Sequence, residues 1–163
     1  MSTHTRTIPL TRGKVAIVDD ADFEWLSQWK WQALHQREGN YYAVRSEPDG
    51  VMKQRTVYMH RQIADAPAQL QIDHINHDKL DNRRANLRLC SSSENARNVS
   101  SRRGATSAYL GVSWHKASRK WLSQIHINKL CVYLGTFESE MDAALAYDRA
   151  ALKHFGEFAN PNF

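Results

Sequence analysis

Residues 71–98 read QIDHINHDKLDNRRANLRLCSSSENARN, and this polar segment in the middle of the chain decides the predicted fold. Its short apolar parts, QIDHI and LRLC, predict two strands on either side of the polar loop NHDKLDNRRAN. Ser91, followed three residues later by Glu94, is typical of a capping box, so a helix is expected to begin at SSSENARN. The segment therefore predicts the order strand, loop, strand, helix, in a module over residues 59–98 that begins with a short helix at MHRQIADA.

The predicted module collects the side chains that hydrolysis of a phosphodiester bond requires, a base and ligands for a hard cation. His74 is the candidate base, because an imidazole with an ordinary pKa of ~6.5 titrates close to working pH. Asp73 and Asn95 offer oxygen ligands, which suit one Mg²⁺ or Mn²⁺ ion. Asn86 is a candidate to hold the loop and to orient the imidazole. Because neighbours on a strand point to opposite faces, Asp73 and His74 would lie on two sides of a phosphorus atom, as in-line displacement requires.

Two alternative interpretations of the histidines are open. His77 suits an exposed loop position as well as a site. His60, His74, His77 and Cys90 could form a structural zinc site, but the chain has no two-cysteine knuckle, and Cys90 belongs to an apolar strand pattern. No zinc is therefore expected.

The charge of the chain favours an anionic partner. The 163 residues carry a net charge of +5, and residues 73–108 hold a net +3 of it, with +1 on each flank. Such a balance suits a nucleic acid, although a charge of this size also serves solubility alone. No apolar run approaches the ~18 residues of a membrane span, and the start has no apolar signal core. A cytoplasmic protein is expected, with Cys90 and Cys131 as buried free thiols.

The ordered motifs MHR, DHIN, LDNRRANLR and SSSENARN resemble the HNH (ββα-metal) endonucleases, in particular the phage and intron-associated homing group. The resemblance implies that His74 is the general base, that Asn86 braces it, and that Asp73 and Asn95 hold the metal. Asn95 stands where many members have His, as in the intron-encoded nicking members. His60 matches the histidine of MHR, with packing, phosphate contact and catalysis all open as its role. The resemblance also implies a phage or prophage origin in a bacterial host cell.

The last module, residues 109–163, is predicted to hold three strands at YLGVSWH, KWLSQIHI and CVYLGTF, then a helix that ends at Gly156. The motifs GVSWH, YLGTF, AALAYDRAAL and FGEFA resemble an Apetala/ethylene-response-factor type DNA-binding domain. That resemblance implies a three-stranded antiparallel sheet, packed on one helix, that enters the major groove of double-stranded DNA. Leu110, Ser113 and His126 replace arginines of plant members, and Gln124 replaces a glutamate. We therefore expect a looser reader that relies on backbone contacts.

The remaining segments complete an α+β prediction. Residues 1–58 form a β-rich module that resembles the N-terminal β region of phage HNH homing enzymes. Its Arg45, Lys53 and Arg55 suit DNA contacts or a solvated sheet face equally well. Residues 99–108 are predicted to be a basic linker, because they are small, polar and without periodicity.

The candidate DNA contacts are basic, aromatic or polar side chains in the last two modules and the linker. They are Arg83, Arg84, Arg88, Arg97, Arg102, Arg103, Ser113, His115, Lys116, Arg119, Lys120, Trp121, Gln124, His126 and Tyr133. The linker pair and Arg97 are the preferred phosphate contacts among the arginines.

The predicted function is a divalent-metal-dependent DNA endonuclease of the homing type. A monomer would nick one strand and a homodimer would cut both; the sequence leaves the two open. The rival function is a non-catalytic DNA-binding regulator with a decayed HNH fold, and an RNA-directed nuclease is a third class.

Overall fold

The computed structural model describes residues 4–36, 39–50, 53–95 and 105–163. The chain divides into two compact units, Met1–Asn95 and Ala96–Phe163. Helices alternate with several small antiparallel sheets, so the fold class is α+β, as predicted. Within the described ranges, every helix is too short or too polar to cross a membrane.

The first unit opens with a strand pair and a three-stranded sheet, separated by helix α1 (Asp20–Leu26). The sheet has the order β3-β4-β5, and helix α2 (Met59–Ile63) follows it directly. These strands agree with the β-rich character predicted for the N-terminal residues, and α2 confirms the short helix predicted at MHRQIADA. The strands are β1 Thr5–Pro9, β2 Val15–Asp19, β3 Gln32–His35, β4 Tyr41–Pro48 and β5 Gln54–Tyr58.

The core of the first unit joins the N-terminal strands to the segment that carries the predicted site. Buried apolar side chains from β1, β2, α1, β3, β4 and α2 form the cluster, and Leu80 and Leu87 pack against it. The backbone of Ile17 also bonds this segment, donating to Leu80 O at 2.8 Å and accepting from Asn82 N at 2.7 Å. Residues before and after position 58 therefore share one core. The domain boundaries predicted at residues 58 and 98 stay predictions.

The predicted strand, loop, strand, helix order is confirmed in the central segment. Strand β6 (Gln71–His74) pairs antiparallel with β7 (Leu87–Cys90), and helix α3 (Ser92–Asn95) follows. The capping box is present, because Ser91 N donates to Glu94 Oε2 at 2.7 Å and Glu94 N donates to Ser91 Oγ at 3.3 Å. Two orphan N–H groups of the helix start are thus satisfied.

The second unit is a three-stranded antiparallel sheet with one helix. Strands β8 (Val112–His115), β9 (Lys120–Ile127) and β10 (Leu130–Phe137) have the order β10-β9-β8, and helix α4 spans Glu140–Phe155. Ala143 and Ala144 of α4 are fully buried with Val112, because small side chains let the helix approach the sheet closely. Gly156 ends the helix at φ 54°, as predicted.

The two cysteines differ in their surroundings. Both are free thiols, and Cys90 is buried as expected. The expectation of a buried Cys131 is wrong, because this residue of β10 is exposed. Its neighbour across the strands is His126, and its thiol lies 3.4 Å from Gln124 Oε1, so it belongs to the open side of the sheet.

Candidate active site

Asp73 and His74 are consecutive on β6, and both are about 1% exposed. Consecutive strand residues point to opposite faces, so the two side chains leave the strand on different sides. The Asp73 carboxylate is held by Arg88, its partner across the strand pair. Arg88 donates to Asp73 Oδ2 from Nε at 3.0 Å and from Nη2 at 2.7 Å. This two-point ion pair fixes the carboxylate in a nearly dry position.

The His74 ring belongs to an aromatic cluster that we define as Tyr42, Tyr58, His60 and His74. The ring centroids of His60 and His74 are 5.1 Å apart with an interplanar angle of 76°, an edge-to-face contact. Tyr42 lies 6.2 Å from His74 and 5.4 Å from His60, and Tyr58 lies 5.4 Å from His60. Strand β4, the start of α2 and strand β6 thus meet around the imidazole.

Burial keeps the imidazole of His74 neutral. Burial, followed by the nearby Lys79 ammonium, lowers the pKa of His74 to about 4. The Asn82 side chain and the carboxylates of Asp73 and Asp78 act in the opposite direction. A neutral imidazole at neutral pH has a lone pair available to accept a proton. The protonation state therefore suits a general base.

Asn86 holds the loop that follows His74. Its Nδ2 donates to Asp81 O at 2.8 Å, and its Oδ1 accepts from Asn76 N at 3.0 Å. The loop is also tied back by Ile75 N, which donates to Asn86 O at 3.0 Å. Asn86 is itself buried. The bracing of the loop is therefore observed, and direct orientation of the imidazole stays a prediction.

Asn95 reaches the face of β6 that carries Asp73. Its Nδ2 donates to Gln71 Oε1 at 2.7 Å, and Gln71 is two residues before Asp73 on the same strand. Side chains two apart share a strand face. A carboxylate and an amide oxygen are hard donors that fit Mg²⁺ or Mn²⁺. At Asp73 Oδ2, a cation would compete with the Arg88 guanidinium. In the part of the chain that the structure describes, no three His, Cys, Asp or Glu side chains are grouped to share a metal.

The described arginines of the central segment form ion pairs within the chain. Arg83 pairs with Asp81 at 2.5 Å, Arg84 with Asp22 at 2.8 Å and Arg88 with Asp73 at 2.7 Å. Their contact with phosphates stays a prediction. The other predicted arginine contacts and most of the linker lie outside the described residues, namely Arg97, Arg102, Arg103 and residues 99–104.

The predicted DNA-contacting residues of the second unit divide between the two sides of its sheet. Trp121 lies on the helix side, where it packs against the Val112, Ala143 and Ala144 cluster and meets the Trp114 ring at 5.1 Å. Residues one position out of phase with it point away from α4. These residues are Ser113, His115, Lys120, Gln124, His126 and Tyr133, and the exposed Lys116 and Arg119 lie in the β8–β9 turn.

His77 and His60 have different positions. His77 is exposed in the loop after β6, with φ 65°, as the loop interpretation expects. His60 is 7% exposed, and burial, followed by His74, lowers its pKa to about 3. It belongs to the aromatic cluster rather than to a surface that could hold a phosphate.

Sequence reasoning missed the contributions of Tyr42 and Lys79. Tyr42 belongs to β4, and only the alternation of side chains along NYYAVRSE indicates that one face of this strand is buried. Lys79 is half-buried, and desolvation lowers its pKa while Asp73 raises it. The positive charge near Asp73 and His74 thus includes a lysine of the loop itself.

Comparisons with known proteins agree with the central motif. Residues 53–97 match the family described as HNH endonuclease. The chain is 28% identical over 151 residues to an uncharacterized HNH endonuclease of Acanthamoeba polyphaga mimivirus, covering 93% of this chain and 76% of the viral protein. These matches support a nuclease that hydrolyses phosphodiester bonds.

Plant transcription factors match a shorter part. An APETALA2-like protein 2 of rice is 43% identical over 60 residues, and an AP2-like ethylene-responsive transcription factor of Arabidopsis thaliana, TOE2, is 44% identical over 61 residues. The matches cover 36% and 37% of this chain, and the chain spans only 14% and 13% of the length of these relatives.

Proposed function

We propose that this chain is a DNA endonuclease of the HNH type that uses His74 as its base and one Mg²⁺ or Mn²⁺ ion. The observation that carries the proposal is the arrangement at β6: a neutral, buried imidazole beside a carboxylate, with the amide of Asn95 brought to the carboxylate's face. The match of residues 53–97 to HNH endonucleases supports the same chemistry.

In the proposed reaction, His74 accepts a proton from a water molecule as the water oxygen attacks phosphorus. A bond forms from that oxygen to phosphorus, the bond from phosphorus to the leaving oxygen breaks, and the leaving oxygen takes a proton from solvent. Asn86 keeps the loop after His74 in place through Asp81 O and Asn76 N. The imidazole is thereby held for the transfer.

Asp73 and Asn95 would hold the cation through their side-chain oxygens, in competition with the Arg88 guanidinium at Oδ2. When bound, the cation supplies positive charge to the phosphate and the leaving oxygen. Few protein ligands suffice, because Mg²⁺ retains several waters.

The second unit is proposed to be the DNA reader. Its open sheet face carries His115, Lys120, Gln124, His126 and Tyr133, a mixture of polar and basic groups that suits phosphate and base contacts on double-stranded DNA. Trp121 is left out of the reader, because it packs on the helix side. The homing type, a phage or prophage origin and a bacterial cytoplasmic location belong to this proposal as well.

The second candidate function is a DNA-binding regulator without catalysis. The observation in its favour is that Asp73 and His74 are both about 1% exposed, with Arg88 on the carboxylate. A regulator would bind DNA without cutting it.

Nicking of supercoiled plasmid separates the two functions. The wild-type chain is expected to convert supercoiled plasmid to open circle with Mg²⁺ or Mn²⁺ and to stop when EDTA is added. His74→Asn should lose this activity while keeping DNA binding. The exposed His77 gives a matched control, since His77→Asn makes the same change and Asn tolerates a positive φ. DNA binding without any nicking by the wild type would favour the regulator.

A further inference from the structure

His60 occupies a rigid position beside the proposed base. It lies in α2 between Met59, which is 0% exposed, and Ile63, which is 2% exposed, and both of these belong to the core of the first unit. A short helix anchored by two core side chains has little freedom to rotate. The His60 ring is therefore fixed by the fold.

The His60 ring makes three aromatic contacts at nearly equal distance. Its centroid lies 5.4 Å from Tyr42, 5.4 Å from Tyr58 and 5.1 Å from His74. Close packing of planar rings restricts the orientations that each can adopt. The His74 ring therefore packs against the His60 ring, which limits the orientations that His74 can adopt.

The contact acts through the ring and not through a charge or hydrogen bond of His60 Nδ1. That atom is buried and makes no hydrogen bond to any residue that the structure describes. Burial, the neighbouring His74 and the cations Arg61 and Lys79 all disfavour the charged form of the His60 imidazole, so the ring is neutral.

We propose that His60 is a positioning residue for His74: its planar ring, packed edge-to-face on the imidazole of His74, holds that imidazole in the orientation from which it accepts a proton. The proposal rests on the proposed role of His74 as base. A misplacement of about 1 Å at a reacting group can reduce a rate by about 10²-fold, so ring orientation matters to the rate more than to DNA binding.

Two substitutions of similar volume separate the ring from the rest of the side chain. His60→Phe keeps a planar ring and removes both nitrogens, whereas His60→Leu fills the space without a ring. We expect His60→Phe to nick within about threefold of the wild-type kcat, and His60→Leu to lose at least about thirtyfold. KM for plasmid should stay within about twofold for both, because His60 is buried away from solvent.

An NMR readout of His74 tests the same idea without activity. In ¹H–¹³C spectra of the imidazole groups, His74 should give one sharp set of ring signals in wild type and in His60→Phe. In His60→Leu those signals should broaden or split into more than one set. Dispersed backbone amide spectra establish that each variant is folded, and His60→Met replaces His60→Leu as the ringless variant if the latter does not fold.

Several results would overturn the proposal. Equal loss of kcat in both variants would assign the role to a nitrogen, and wild-type kcat with unchanged His74 signals in the ringless variant would deny any role. If the wild-type chain does not nick at all, the proposed function has failed, and the NMR comparison alone decides whether His60 orients His74.

Discussion

Replacement of His60 by Phe should make the first unit more resistant to acid. The pKa of His60 is lowered from an ordinary 6.5 to about 3, so the unfolded chain binds a proton there before the folded one does. Stability from this group is complete above pH 6.5 and is lost progressively as the pH falls towards 3. Between pH 7.5 and 4.5 the loss from one such histidine is about 3 kcal/mol in the free energy of unfolding. His60→Phe should lack this loss.

The measurement is urea unfolding at pH 7.5 and pH 4.5, followed by tryptophan fluorescence. Trp25, Trp29 and Trp31 report on the first unit. The wild type should lose about 3 kcal/mol more than His60→Phe between the two pH values. His77→Asn, which removes an exposed imidazole from the same unit, is the matched control and should keep the wild-type loss. A difference below about 1 kcal/mol, or one of opposite sign, would refute a buried neutral His60.

Three further predictions concern the proposed metal site and the second unit. Arg88→Gln leaves the Asp73 carboxylate buried without its cation, so the free energy of unfolding should fall by about 3 kcal/mol in urea titrations; an unchanged midpoint would show that the pair contributes nothing. Asn95→Asp adds a charged oxygen ligand, so half-maximal nicking should need about tenfold less Mn²⁺; an unchanged or higher requirement would place residue 95 outside the metal site. Gly111→Ala adds a Cβ that meets a tyrosine ring and a backbone carbonyl, so it should unfold the second unit and reduce DNA binding. Gly156→Ala, which has a similar φ but open space around the new Cβ, should lower the free energy of unfolding by only about 1 kcal/mol. Equal effects of the two glycine changes would attribute the loss to backbone strain alone.

Local patterns in the sequence were sufficient for the elements around the site. The spacing of Ser91 and Glu94 predicted the helix start, and the apolar ends of residues 71–90 predicted the strand pair. The α4 prediction also holds, since its buried alanines follow the helical period. These features depend on contacts between residues close in the sequence, so the pattern contains the information.

Long-range packing was not predictable in the same way. Tyr42 is 32 positions before His74, and nothing near either residue indicates that their rings meet at 6.2 Å. The pairing of Arg88 with Asp73 depends on the register of β6 and β7, which a shift of one residue would have changed. The sequence predicts a phosphate contact for Arg88 and gives no sign of its bonds to the carboxylate.

It was also difficult to predict which face of a strand is covered by the helix. Both alternating faces of KWLSQIHI carry apolar side chains, Trp121 on one and Leu122 on the other, so the pattern does not state which face α4 covers. The structure settles it, because Trp121 packs with the helix and Gln124 lies on the other face. Cys131 was assigned to the interior from its apolar neighbours, although it lies on the open face.

The most direct test is the single-turnover cleavage rate of duplex DNA with saturating protein and Mn²⁺, because saturation removes any difference in binding. Wild type and His77→Asn should cut at the same rate, and His74→Asn should cut at least about 10²-fold more slowly. Cleavage by His74→Asn at the wild-type rate would contradict the assignment of the imidazole of β6 as the group that activates water.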